Sequence, residues 1–183
     1  YDFLGFDDEQ EILDIRFHTL DSIVDYFVVG SSRYSHTGID KGLNLINNEL
    51  FEKFKDKIIF IEIPYEYNSN PWIFEQFSRE YLYERVKDKL KDNDILLVND
   101  MDEIPNPEML KDVVKNLQQP TTFCGDYYML CVDLWGRKSV DSFLIKNFWK
   151  TQSLNWFRSH RTNFQFNYFK HITDSSWQFS CVG

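Results

Sequence analysis

The feature that most constrains this chain is the apolar run Ile95-Leu-Leu-Val98, which passes directly into Asn99-Asp100-Met101-Asp102-Glu103-Ile104-Pro105. A strand that is apolar without alternation is expected in the middle of a parallel sheet, with helices covering both faces. Here carboxylates cluster where the strand ends. In open α/β sheets that is the side on which ligands bind.

The surrounding pattern supplies the rest of such an α/β fold. Apolar residues at three- and four-residue intervals predict an amphipathic helix over 9–20, and Val24 to Val29 give a β-branched and aromatic strand over 23–29. A Ser- and Gly-containing loop at 31–42, a helix over 47–54 and a strand over 57–63 follow. After a polar connection at 64–71, residues 74–90 form the longest expected helix, strand 94–98 comes next, and 108–117 can be helical. Beyond Pro120, segments 122–134 and 162–169 read as aromatic-rich strands around an ambiguous stretch at 142–157. No repeat or linker divides the 183 residues, so one domain is expected, with 118–183 the other part of the same sheet as 1–117 and carrying the acceptor or substrate wall.

Charge narrows the function. With 20 Lys and Arg against 29 Asp and Glu, the net charge is −9, which disfavours nucleic acid and anionic lipid as partners. The sign is uneven: between 142 and 173 stand Lys146, Lys150, Arg158, Arg161 and Lys170 with no acid among them, so a local anion site is possible. No apolar stretch reaches the roughly 20 residues of a transmembrane span, and residues 1–20 lack the pattern of a signal peptide. Cys124, Cys131 and Cys181 lack paired CxxC spacing, which argues against a disulfide framework and a thiolate zinc site.

On an extended strand, Asp100 and Asp102 share one face while Met101 turns into the core. Two adjacent hard oxygen donors suit Mg²⁺ or Mn²⁺ and leave coordination positions for a diphosphate. The competing role is a solvated acidic turn that complements the dipole of the next helix.

Phe6-Asp-Asp-Glu-Gln-Glu-Ile-Leu-Asp-Ile-Arg-Phe-His-Thr-Leu20, Val24-Asp-Tyr-Phe-Val-Val29, Ser32, Gly38, Lys57-Ile-Ile59 and Val98-Asn-Asp-Met-Asp-Glu-Ile-Pro105 together resemble glycosyltransferase family 17, the β-1,4-mannosyl-glycoprotein β-1,4-N-acetylglucosaminyltransferases. The likeness covers residues 6–117, and Ser176-Trp-Gln-Phe-Ser180 resembles a late segment of the same family. It implies a GT-A-like fold with a central, mostly parallel mixed sheet flanked by helices. It also implies a nucleotide-sugar donor, UDP-linked, a glycan acceptor, Mn²⁺ or Mg²⁺, and transfer with inversion. By that likeness Asp102 is the principal metal ligand, Asp100 lies near the metal or donor ribose, and Glu103 positions metal-bound water or the donor sugar.

Arg16 would help organise the donor pocket, though an Arg among acids is as readily an ion-pair partner, and His18 is expected to pack rather than bind metal. Trp72, Glu75 and Arg79 resemble the stretch that precedes the metal segment; Glu75 and Arg79, four apart on a helix, can pair and present Arg79 to the pocket. Ser32 and Arg33 follow the first expected strand, where a loop can hold the nucleotide. Arg158, Arg161, Lys170 and His171 could stabilise charge on the departing diphosphate. Inversion needs a base, and Asp174, just before the Trp177 segment, is the first choice, with Asp126 and Asp133 as competitors.

Two departures stand out: Ser31 where many members have Glu, and Gln178 where the late segment has His. They motivate the second reading, a noncatalytic glycan- or nucleotide-sugar-binding module. A third, a phosphohydrolase or nucleotidyltransferase, would use the same paired carboxylates with Mg²⁺.

Overall fold

A computed structural model describes residues 1–35, 38–64, 71–129, 135–162 and 168–180. Among them, nine strands share one sheet: β1 (Asp2–Gly5), β2 (Phe27–Ser31), β3 (Ile58–Glu62), β4 (Ile95–Val98), β5 (Glu103–Pro105), β6 (Thr121–Met129), β7 (Trp135–Lys146), β8 (Lys170–Ile172) and β9 (Ser176–Ser180). The helices are α1 (Gln10–Leu20), α2 (Asn48–Phe54), α3 (Pro71–Val86), α4 (Pro107–Lys115) and α5 (Leu154–His160).

The strand order is β3-β2-β1-β4-β7-β6-β9-β5, with β8 beside the start of β6. Strands β1 to β4 are mutually parallel, β7 runs antiparallel to β4 and β6, and β9 lies parallel to β6 but antiparallel to β5. Both faces are covered, and the alternation along β2 shows how. Phe27 and Val29 join the side chains of α1 and α2, including Leu13, Phe17 and Leu50, whereas Val28 joins Leu82, Val86 and Phe157 from α3 and α5. On β4, Leu97 faces the first cluster, and Leu96 and Val98 face the second. A strand apolar on both faces is what a central position demands.

Local chemistry sets the helix starts. The Asn47 side chain accepts from the Leu50 N–H at 2.8 Å, and the Ser153 hydroxyl accepts from the Trp156 N–H at 3.0 Å. Asn106 caps α4, whose first residue is Pro107, a position where the missing N–H has no intrahelical partner to lose.

Several boundaries differ from expectation. Strand β1 was not expected: it is four residues long and opens on the acidic Asp2. The strand expected from residue 23 begins at Phe27, because the Val24 N–H still bonds the Leu20 carbonyl at 2.9 Å and prolongs the end of α1. Strand β5 includes Pro105 at its last residue, where a lost donor is tolerated. The ambiguous stretch becomes the end of β7, a 3-10 turn at Asn147–Trp149 and α5. In the expected strand 162–169, residues 163–167 lie outside the described residues, as do 130–134 of the strand expected over 122–134. Among the described residues no helix is long and apolar enough to cross a membrane.

Gly125 on β6 is required by close approach: a Cβ there would sit 1.7 Å from the Ser176 carbonyl oxygen. Backbone cannot move aside without breaking the β6–β9 pairing. Gly125→Ala is therefore expected to cost about 3 kcal/mol or more, whereas Gly5→Ala, whose Cβ meets nothing within 4 Å, is expected to be nearly neutral. Urea unfolding of the two variants checks this, and equal midpoints would refute it.

Candidate active site

From β1 the chain winds outward to β2 and β3, then returns to place β4 on the other side of β1. This reversal leaves a crevice beyond the carboxyl ends of the parallel strands, the general ligand position in open α/β sheets. A cavity of about 710 Å³ occupies it. Its apolar floor includes Phe3, Ile63, Phe74, Leu82 and Val98, and its charged wall includes Asp7, Lys41, Glu75, Arg79, Asp100 and Asp102. Lys41 forms an ion pair with Asp7 and so joins the loop after β2 to the connection between β1 and α1.

The Asp-x-Asp segment is a turn rather than an extension of β4. The Glu103 N–H donates to the Asp100 carbonyl at 3.1 Å, and the Asp100 N–H donates to the Glu103 carboxylate at 3.0 Å. Met101 points inward and is buried, as expected. Arg16 supports the turn from below. Its guanidinium is wholly buried, binds Asp2 at 2.8 and 3.0 Å, bonds Asn99, and donates to the carbonyls of Met101 at 3.2 Å and Glu103 at 2.6 Å. Expected to help organise a donor pocket, Arg16 lies within the core, where it braces the turn beside the cavity and is out of reach of a ligand.

Glu103 is also committed. It is buried and held in a two-pronged pair by Arg158 at 2.7 and 2.8 Å, so it does not face the cavity as a catalytic group would. Arg158 also pairs with Asp100, on the opposite side from Arg79, which reaches Asp100 at 3.1 Å and pairs with Glu75 as the helical spacing suggested. Burial pushes the Asp100 carboxyl up, but Arg158 and Arg79 outweigh it and hold it below its ordinary value. For Arg158, burial lowers the pKa, yet Glu103 and Asp100 raise it further, so it stays charged.

Of the residues expected to bind the donor, Asp100, Ser32 and Arg79 line the cavity; Arg158 stands behind Asp100. Arg161 does not line it, and its guanidinium donates to the carbonyls of Val140, Asp141 and Arg158, tying α5 to β7. Burial, reinforced by the neighbouring Arg158 charge, pulls its pKa down to about 10. His18 bonds the Asp14 carbonyl and packs its ring edge on Phe54.

The expected base is misplaced. Asp174 occupies an exposed turn before β9 with φ of 53°, pairs with Lys138 and is absent from the cavity wall. Asp126 pairs with the same Lys138 at 2.9 Å, and Asp133 lies outside the described residues. Sequence reasoning also missed Asp7, Glu9 and Lys41 on the wall, since they follow from β1 and the loop after β2.

Among the described residues no group of three or more His, Cys, Asp or Glu converges into a closed cage. Asp100 has both carboxylate oxygens paired, one with Arg79 and one with Arg158, so Asp102 beside it on the wall is the residue that could serve as a ligand in an open site completed by substrate phosphates.

Two predictions follow from the buried charges. Arg158→Met removes the close counter-charge of the buried Glu103 carboxylate, leaving Arg161 at 3.9 Å, and is expected to cost about 3 kcal/mol; adding Glu103→Gln should recover a large part of it. Urea midpoints of the single and double variants check this, and strictly additive losses would refute the pairing. The second concerns Asp141, which is buried between the hydroxyls of Ser139 and Ser176. Burial pushes its carboxyl up to about 6, although both hydroxyls pull it down. The folded chain therefore holds this proton more tightly than the unfolded chain, and stability is lost as pH rises from about 4 through about 6. Asp141→Asn is expected to raise stability at about pH 7.5 by on the order of 2–3 kcal/mol and to have no such benefit near pH 4. Denaturation at both pH values decides it: the same effect at each would refute the assignment.

The sequence model of glycosyltransferase family 17 matches residues 1–175. The β-1,4-mannosyl-glycoprotein 4-β-N-acetylglucosaminyltransferases of Homo sapiens and Mus musculus are each 29% identical over 106 residues, covering 53% of this chain and 20% of theirs. The chain thus spans about a fifth of the length of the curated relatives it matches. Among solved structures, HddC from Yersinia pseudotuberculosis is similar at a TM-score of 0.48 and 12% identity, covering 96% of this chain and 91% of that one. A glycosyltransferase involved in glycosylation of the major capsid of PBCV-1 is similar at 0.38 and 10% identity, covering 94% and 79%. Neither structural likeness bears on activity. The family match includes the Asp100–Glu103 turn and the cavity wall apart from Phe179, and on its extent the chain belongs to glycosyltransferase family 17.

Proposed function

We propose that the chain is a metal-dependent, inverting glycosyltransferase of GT-A type, which moves a sugar from a nucleotide-sugar donor to a glycan hydroxyl. N-acetylglucosamine is the sugar suggested by the relatives' names, and UDP is the carrier that the family resemblance implies. The observation that carries this is the placement of Asp102, beside an Asp100 fixed by two arginines, on the wall of a roughly 710 Å³ cavity at the winding reversal of the sheet. The volume suits a small-molecule ligand of nucleotide-sugar size.

In this reading Asp102, with Asp100 beside it, holds Mn²⁺ or Mg²⁺. When bound, the ion neutralises charge on the diphosphate. The chain's own residues do the rest. Arg79 adds a positive charge on the wall, and its contact with Asp100 keeps that carboxylate oriented rather than free to swing. The acceptor oxygen forms its bond to the anomeric carbon as the bond to the diphosphate breaks, and the electron pair leaves with the nucleoside diphosphate. The hydroxyl proton passes to a carboxylate of the wall, a set that includes Asp7, Glu9 and Glu75, rather than to Asp174. The apolar floor keeps water from competing as the acceptor.

Calorimetric titration of a nucleotide-sugar panel with Mn²⁺, repeated with EDTA and with Asp102→Ala, tests this. Affinity for one nucleotide class should fall about 100-fold, roughly 2.7 kcal/mol, in the variant and without metal. Metal-dependent binding followed by no transfer to any acceptor glycan would leave a noncatalytic binding module, and no metal-dependent binding at all would sink the donor site.

A further inference from the structure

Strands β6 and β9 run parallel and in register toward the cavity, with Asp126 beside Trp177 and Tyr128 beside Phe179. Side chains two apart on a strand share a face, so these four make two rows about 7 Å apart. The row nearer the cavity is a stacked aromatic pair: the rings of Tyr128 and Phe179 lie 5.8 Å apart with planes at 17°. The outer row carries Trp177 together with Asp126, which pairs at 2.9 Å with Lys138 on β7; Lys138 also reaches Asp174.

This double row is continuous with the candidate donor site. Phe179 is itself part of the cavity wall, and its N–H bonds the Asp102 carbonyl at 3.1 Å. Tyr128, Trp177 and Phe179 are half-buried, and the side chain of Lys138 is 57% exposed. Phe179 also packs inward against the core cluster, so the surface sets the partly exposed rings of Tyr128, Trp177 and Phe179 beside charged groups that can bond hydroxyls, and it leads away from Asp102 along the strands.

A pyranose ring has the matching chemistry, an apolar face of C–H groups and a rim of hydroxyls. Aromatic side chains accept the first, and a carboxylate and an ammonium group bond the second. The row spacing is of the order of one sugar ring with its linkage. We propose that this double row is the acceptor subsite and takes two consecutive sugars of a glycan. The terminal sugar lies over Tyr128 and Phe179 with its reacting hydroxyl toward the cavity, and the preceding sugar lies over Trp177 with its hydroxyls bonded to Asp126 and Lys138. The name acceptor rests on the glycosyl-transfer reading above; the saccharide site itself does not.

Asp174 then has a different role from the one expected of it: as a partner of Lys138 it holds that ammonium group at the far end of the track.

Saturation-transfer NMR with a panel of β-1,4-linked disaccharides and methyl β-pyranosides, in the absence of any nucleotide, tests the site directly. At least one disaccharide is expected to receive saturation from the protein. Its affinity should fall about tenfold in Tyr128→Ala, be largely kept in Tyr128→Trp, and fall also in Lys138→Met, an exposed change that spares the core. Nucleotide-sugar affinity, measured on the same variants, separates the two readings. Loss of saccharide alone supports the track, whereas a parallel loss of both, or saccharide binding unchanged in Tyr128→Ala, would overturn it. No binding of any panel member to the wild-type chain would overturn it as well. Saccharide binding on this row without any nucleotide-sugar binding would keep the track and reject the transferase.

Discussion

The site depends on one buried guanidinium. Arg16 is reached from α1, yet it binds the start of β1 through Asp2, the end of β4 through Asn99, and the turn beyond β4 through two carbonyls. Asn99 closes the arrangement by donating to Asp2 and to the Phe3 carbonyl. A charge this deep is tolerated only because a carboxylate neutralises it and its remaining donors find oxygen. The demand works in the other direction too, since the buried carbonyls of Met101 and Glu103 take donors from Arg16, the second also from the Ser142 hydroxyl. Burying Arg16 therefore fixes the path of residues 99–103, and with it the direction in which Asp100 and Asp102 project.

A second layer of charge lies on the other side of that turn. Arg158 and Arg79 approach Asp100 from α5 and α3, and Arg158 also binds Glu103. The acid-free tract seen after residue 142 is thus partly an internal counter-charge for the acidic turn. Helices from both halves of the chain are drawn to one short segment, which couples the packing of α3 and α5 to the shape of the cavity wall.

How much of this was legible in the sequence varied with the kind of interaction. The apolar Ile95–Val98 strand and the carboxylates after it were plain, because burial on both faces leaves a signature in consecutive residues. The pairing of Glu75 with Arg79 was plain as well, because it is local. Strand β1 was hidden because its first residue is a carboxylate, made acceptable in a core by an Arg fourteen residues later and by the Asn99 amide. For the same reason Arg16 read as a pocket residue, and Glu103, whose partner is 55 residues away, read as catalytic. The place of Asp174 before a motif says nothing about the direction of a turn residue with positive φ.

Strand β9 gives the architecture an order in time. It is inserted between β6 and β5, so Glu103–Pro105, some 75 residues earlier in the chain, find their sheet partner only when Ser176–Ser180 arrive. During synthesis from the amino end, the parallel core of β1 to β4 can form while the wall beside Asp102 still lacks Phe179. A ribosome-bound chain ending before residue 176 would carry the acidic turn on an unfinished sheet edge. Completion of the pocket is therefore a late event in the birth of the protein, and premature release would expose that edge to other chains.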